Sequence, residues 1–370
     1  MTVYSCGRHR FSSTTPQRSA VASISAAVLA VVIGGCASHH HTTTELPPQT
    51  CRAVVPDPAP LLHWISPPAT RDGHALSDWC ATVGPVLYYR RPPSDLPAVV
   101  DRLAVVTWNV HVGFGDVREL IRRLQSGQYT GGEGIQHFIL LLQEAYRRDG
   151  GVPARTSVRL RLPGRIGARR LGKRGADIDR FVKDERLSLL YVPSMRNGGD
   201  PDVPEDRGNA IVSTLPLDSP AVIELPFEHQ RRAAALAVVE GRTLGGSSWR
   251  LGVVDVHFDT AMALTRGGPL SARRRQAAAL IDALAAAPDD MVLGGDLNTW
   301  LGSREPALKL LRRAFPEGGD RATTTWKGPL GLRGSLDYLL ARGRARLVGV
   351  ARLPDRLGSD HYPVMGIIEF

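Results

Sequence analysis

From Leu103 to the C-terminus, short aliphatic runs alternate with polar stretches punctuated by glycine and proline. LAVVTWNV (103–110), FILLLQE (138–144), LSLLYVP (187–193), NAIVST (209–214) and AALAVVEG (234–241) read as strands, mostly buried ones. WRLGVVDVHF (249–258), MVLGGDL (291–297), SLDYLLA (335–341) and VMGIIEF (364–370) continue the series. Two segments carry helical spacing instead: VRELIRRL (117–124) and a longer stretch from Leu270 to Ala286 whose first half is strongly basic. Many strands with few helices between them suggest two packed sheets with helices outside, not a simple doubly wound parallel sheet. The chain shows no internal repeat.

The first 100 residues have a different character. Arg8, Arg10 and Arg18 precede an uncharged run from Ala20 to Ile33, which ends in Ile33-Gly34-Gly35-Cys36. Charge, run and small-residue ending are those of a secretory signal, and the run is short against the roughly 20 residues of a membrane span. The ending resembles a bacterial lipobox. Residues 1–35 are therefore expected to be a signal peptide, with Cys36 the lipidated first residue of an exported, membrane-anchored protein. An ordinary signal peptide or an uncleaved anchor stays open. Residues 36–100 read as a Pro-rich tether and extension, with Trp64 and Trp79 marking a part that packs, and 101–370 as the main domain. With Cys6 and Cys36 set aside, Cys51 and Cys80 suit one disulfide in an oxidising compartment. No cysteine follows residue 100, which excludes a Cys nucleophile or Cys-bound zinc in that domain.

The formal charge of +10 over 370 residues points to an anionic partner: nucleic acid, an acidic membrane or a phosphorylated substrate. A genomic base bias toward arginine would give the same excess. Residues 151–186 concentrate it, with eleven Lys or Arg against four acids. Arg169, Arg170 and Arg174 in this segment are candidate substrate contacts on a loop suited to a polyanion. The alternative is a solvated insertion. The Arg273-Arg274-Arg275 run adds to the polyanion reading.

Polar residues interrupt the strands at a few places. Asn109 ends one apolar run, and Glu144 follows Leu140-Leu141-Leu142-Gln143. His257 ends another, Asp296 and Asn298 stand two apart after Gly294-Gly295, Asp337 lies inside an apolar run, and Asp360 and His361 are adjacent. Carboxylates at buried strand ends are costly unless paired or metal-bound. The set has oxygen and imidazole donors and no thiol, which favours magnesium, manganese or calcium over zinc. No Gly-rich nucleotide loop and no Gly-x-Ser-x-Gly elbow occurs. The fitting chemistry is metal-assisted attack of water on phosphorus.

WNVHVGFGD, LLLQEAY, RGNAIVSTLPL, VDVHFDT, GGDLNTW, SLDYLLA and GSDHYPV stand in an order and spacing that resemble the endonuclease/exonuclease/phosphatase superfamily over about residues 103–370. The resemblance implies a four-layered α/β sandwich of two packed mixed sheets flanked by helices. It implies that Glu144 binds the metal with Asn109 and Asp360 close by. Asp296 would activate water, and Asn298 would hold a phosphate oxygen. His361, oriented by Asp337, would contact the scissile phosphate, and His257 would be a second phosphate-binding histidine and a candidate proton donor to the leaving oxygen. The interval between Glu144 and Gly208 is longer than in compact members, so substrate contacts there are unassigned. The expected activity is a metal-dependent phosphodiesterase, by preference a nuclease, acting as a monomer. The alternatives are a sphingomyelinase-like or inositol-phosphate-type headgroup hydrolase and a non-catalytic polyanion-binding lipoprotein.

Overall fold

The computed structural model describes residues 43–44, 51, 53–54, 62–66, 70–91, 98–154, 177–199, 202–260, 268–318, 323–344 and 346–370. The leader, Cys36 and the candidate contacts Arg169, Arg170 and Arg174 lie outside them.

One eight-stranded sheet runs β17 (Arg346–Arg352), β18 (Val364–Glu369), β5 (Arg102–Asn109), β6 (Phe138–Arg147), β8 (Asp206–Ser213), β7 (Ser188–Arg196), β4 (Val86–Tyr89) and β2 (Ala53–Val54). The other runs β1 (Thr43–Thr44), β3 (His63–Ile65), β9 (Asp218–Glu224), β10 (Ala233–Arg242), β11 (Ser248–His257), β12 (Met291–Asp296), β16 (Asp337–Arg342) and β13 (Glu317–Gly318). Both are mixed: β5 pairs parallel with β6 and β11 with β12, whereas β12–β16 and β18–β5 are antiparallel. A small ribbon of β14 (Trp326–Lys327) and β15 (Arg333–Gly334) stands apart.

Period-two alternation builds the layers. Leu103, Val105, Ile139 and Leu141 face Val253, Val292, Leu339 and Ala341 between the sheets. Ala104, Val106 and Leu140 point the other way, onto α2 (Val117–Gln125) through Leu120, Ile121 and Leu124, and onto α3 (Ile178–Asp184) through Phe181 and Val182. Val254, Val256 and Leu293 pack on α4 (Pro269–Ala283) and α5 (Pro306–Ala314) through Leu280, Leu308 and Leu311. The result is the four-layered sandwich expected from the sequence. Asp116 caps α2 by accepting from the Glu119 amide, which fixes where the helix starts.

The part of the extension marked by Trp64 and Trp79 packs, and it does so partly as a helix. Thr70–Cys80 forms α1, because this proline-free stretch buries Leu76, Trp79 and Cys80. Cys51 and Cys80 are joined in a disulfide. β4 then adds antiparallel to β7, and the buried Arg147 guanidinium clamps the junction, donating to Pro85 O at 2.7 Å and pairing with Asp206, which also accepts from the Gly84 amide at 2.7 Å.

Candidate active site

Toward the ends of the central strands the inward-facing positions change from aliphatic to polar. Asn109 ends β5, His257 ends β11, Asp296 ends β12, and Asp337 begins β16. Register places them at one level: Asp296 is the strand partner of His257 in the parallel pair and of Asp337 in the antiparallel pair. Partners in register show their side chains on one face, so three buried polar groups converge. Gly294 makes room for the sheets to close here. A Cβ on it would lie 2.6 Å from Leu141 Cδ1 and 2.8 Å from Thr107 Cβ.

Asp296 is the hub. Its Oδ2 accepts from Asn109 Nδ2 at 3.0 Å, and its Oδ1 accepts from the Asn298 amide at 3.0 Å. His257 Nε2 lies 3.4 Å and His361 Nε2 3.8 Å from Oδ2. Burial pushes the Asp296 pKa up, while the His361 imidazole pulls it back. His361 Nδ1 sits 2.8 Å from Asp337 Oδ2. Burial opposes charge on His361, but Asp337 and Asp296 outweigh it and raise its pKa. His257 is pushed the other way, well below the usual imidazole range, by burial and by the Arg232 and His361 charges. The surroundings thus pull the two imidazoles apart, favouring the charged form of His361 and the neutral form of His257. His257 Nε2 is buried without a hydrogen-bond partner. Asn298 has left-handed backbone (φ 50°), and its Nδ2 donates to Phe258 O at 3.0 Å.

Glu144 and Asp360 lie to one side. Glu144 sits at a bulge between Leu142 and Ala145, in left-handed backbone (φ 53°), which turns it out of the ladder. Its Oε2 accepts from Arg207 Nη1 at 3.0 Å. Asp360 Oδ2 accepts from Trp326 Nε1 at 3.0 Å, and its Oδ1 is 3.1 Å from His111 Nδ1. Burial raises the Asp360 pKa, but the His111 and His361 imidazoles reverse this and hold it at about 2. The His111 imidazole feels the negative charge of both Asp360 and Glu144.

These donors suit a hard cation. Glu144 and Asp360 are carboxylates flanking one imidazole, and Glu144 retains a part-exposed side chain. Asp296, Asp337 and His361 also bring one donor atom each to within 4.8 Å of one another. Both sets are already engaged: Asp337 holds His361, Glu144 holds Arg207, and Asp360 holds Trp326 and His111, so a cation at either would displace a present partner.

Sequence reasoning did not assign His111, Arg207, Arg232 or Trp326 here. His111 and Val112 both have left-handed backbone (φ 47° and 55°), a strained turn directly after Asn109. The His within WNVH was the available signal. Arg207 and Arg232 are buried beside the carboxylates, and burial lowers the Arg232 pKa against the pull of Asp259, Glu144 and Asp296. Trp326 reaches the site from the β14–β15 ribbon. Only strand pairing between distant segments brings these together. The expected polyanion run fares differently: Arg273 is buried on Glu305 at 2.8 Å, and Arg275 makes two 2.7 Å bonds to Glu228. Two of its three guanidinium groups are engaged in ion pairs, Arg273 buried and Arg275 part-exposed.

Among solved structures, the chain is similar to an endonuclease/exonuclease/phosphatase family protein from Leptotrichia buccalis C-1013-b, at 12% identity and a TM-score of 0.48 over 72% of this chain and 100% of that one. It is similar to the human Nocturnin catalytic domain with bound sulfate, at 15% identity and 0.46 over 74% and 96%. A family protein from Bacteroides thetaiotaomicron gives 14% and 0.45 over 74% and 98%. No curated protein matches. The sequence model of one family matches residues 106–361, a span that begins inside β5 and ends on His361 and so encloses the whole constellation. The chain belongs to the Endonuclease/Exonuclease/phosphatase family, whose named activities are phosphoester hydrolyses.

Proposed function

We propose that the protein is a metal-dependent phosphodiesterase that attacks phosphorus with an activated water. The observation that carries this reading is Asp296, a buried carboxylate fixed by Asn109 and the Asn298 amide and facing two imidazoles, His361 with its pKa raised and His257 with its pKa lowered. Asp296 accepts the proton of the attacking water. His361, held by Asp337, contacts the phosphate as a cation and gives its proton to the leaving oxygen. His257 is neutral and donates one hydrogen bond to a non-bridging oxygen. Arg207 and Arg232 add positive charge where the phosphorane gathers negative charge. Glu144 and Asp360 would hold magnesium or a similar cation, which neutralises phosphate oxygens when bound.

The nuclease reading leans on the net charge and on Arg169, Arg170 and Arg174. A lipid-headgroup reading is favoured by exposed apolar residues at the mouth of the site. Bis(4-nitrophenyl) phosphate and 4-nitrophenyl phosphate, each with magnesium and with chelator, separate a diesterase from a monoesterase. Turnover of the diester that stops with chelator is the expected result. Turnover of the monoester alone, or of neither, would end the phosphodiesterase reading.

A further inference from the structure

Among the described residues, six large apolar side chains are well exposed: Val99, Leu244, Trp300, Leu301, Leu330 and Leu332. Four of them stand on two loops beside the site. Trp300 (38% exposed) and Leu301 (51%) follow Asn298 directly, and Leu330 (101%) and Leu332 (59%) form the tip between β14 and β15. The two loops touch, with Trp300 edge-on to Trp326 at 5.1 Å. The ribbon is also tied to the site: the Lys327 amide donates to Asp360 O at 3.0 Å, and the Tyr362 amide donates to Thr325 O at 2.7 Å.

The fold does not account for Leu330. Its side chain buries nothing, and its backbone is left-handed (φ 54°), a conformation glycine adopts freely and leucine does not. An exposed leucine on a strained tip weakens the isolated chain and gains only where something covers it. Charge indicates what that is. Residues 323–334 contain Lys327 and Arg333 and no acid. Lys327, on β14 at the base of the tip, shares the Tyr362 ring with Arg352 and Arg356 at 4.1–5.8 Å. Exposed leucines on a tip that carries Lys327 and Arg333 and adjoins further cations match the acyl region and the anionic headgroups of a bilayer surface. Nucleic acid fits less well. Stacked bases need flat aromatic faces, whereas Trp300 and Trp326 meet edge to face and the tip is aliphatic.

We propose that the Leu330–Leu332 tip, with Trp300 and Leu301, is a docking surface for an anionic lipid bilayer. It sets the mouth of the site against phosphodiesters presented at that surface. The substrate part of this statement rests on the phosphodiesterase reading, whereas the docking itself does not need turnover.

The test places an environment-sensitive nitrobenzoxadiazole label at Leu330→Cys in the full chain. Cys6→Ser and Cys36→Ser remove competing thiols and any acyl chain. Leu244→Cys, in the turn at the opposite end of β11, is the control. Chelator is present throughout, so binding is read without catalysis. Vesicles of phosphatidylcholine with phosphatidylglycerol should blue-shift and brighten the label at 330 and not at 244. Pure phosphatidylcholine should do so far less. Adding Leu332→Ser should weaken vesicle affinity roughly tenfold. Leu332→Cys serves as a second label position should the first variant fold poorly. A silent label at both tip positions, an equal response at 244, or a response to single-stranded oligonucleotide but not to vesicles would each overturn the proposal. A responding label in a protein without diester turnover would keep the docking surface and sink the proposed activity. Turnover with a silent label would do the reverse.

Discussion

Asp296 and Asp337 are register partners across the antiparallel β12–β16 pair, and both are buried. Two facing carboxylates are tolerated because each has its own partners: Asn109 and the Asn298 amide for Asp296, and His361 for Asp337. The pair divides the work, with one carboxylate free to take a proton and the other committed to an imidazole. Asp296→Asn keeps shape and burial but removes the base. Diester turnover should fall by about 10²–10⁴-fold with little change in melting temperature, as steady-state kinetics and thermal denaturation on the same preparation would show.

Asp337→Asn addresses the other half. Asp337 raises the His361 pKa against burial. Its loss lowers that pKa, so the cation persists only to a lower pH. The alkaline limb of the turnover profile should move toward neutral, along with a drop in kcat. A profile whose alkaline limb stays in place would remove His361 from the role of proton donor.

Much of this was legible in the sequence, for a physical reason. Strand alternation is local, so Val292-Gly294-Asp296 already shows an inward face ending in a carboxylate. What was not legible depends on distant pairing. Arg232 reads as one more charge in an arginine-rich chain, and only the β10 edge next to β11 places it near Glu144 and Asp296. The ion pairs of Arg273 with Glu305 and of Arg275 with Glu228 were likewise not legible, because a charge run shows no partners until distant segments are placed. α3 was hidden by the charged residues around Ile178, Phe181 and Val182, and α1 by the prolines on either side of it.

Glu144 and Asp360 make a prediction that does not require turnover. A cation bound only by the folded chain raises its stability, by about 2.7 kcal/mol at a hundredfold excess over Kd. Magnesium should therefore raise the melting temperature of the wild type. The increase should shrink strongly in Asp360→Asn and in Glu144→Gln, measured by differential scanning fluorimetry. An equal rise in all three proteins would place the cation elsewhere.

The Arg147–Asp206 pair tests how firmly the extension belongs to the sandwich. Both side chains are fully buried, and Asp206 also receives the Gly84 amide and the Tyr191 hydroxyl at 2.8 Å. Asp206→Asn leaves the guanidinium uncompensated, and breaking one side of such a pair costs about 3–5 kcal/mol. Chemical denaturation should show that loss. Limited proteolysis should cut first between Cys80 and Val86, where the clamp had held the chain.

Asp255 lies between the sheets behind the catalytic level, fully buried, accepting from Gln143 Nε2 at 2.6 Å and from the Ala210 amide at 3.0 Å. Burial pushes its pKa from 3.8 up to about 8, with those hydrogen bonds pulling the other way. The folded protein therefore holds a proton that the unfolded chain gives up near pH 3.8. Unfolding releases a proton within that window, so this contribution is complete below the unfolded pKa. It is lost as pH rises toward and through about 8, at up to roughly 1.4 kcal/mol per pH unit. Asp255→Asn keeps the shape and cannot titrate. Its unfolding free energy should be flatter than that of the wild type across this window, whatever constant offset the amide adds. Parallel urea denaturations from acid to mildly alkaline pH would show the two curves diverging, and curves that stay parallel would mean that Asp255 is ionised in the fold.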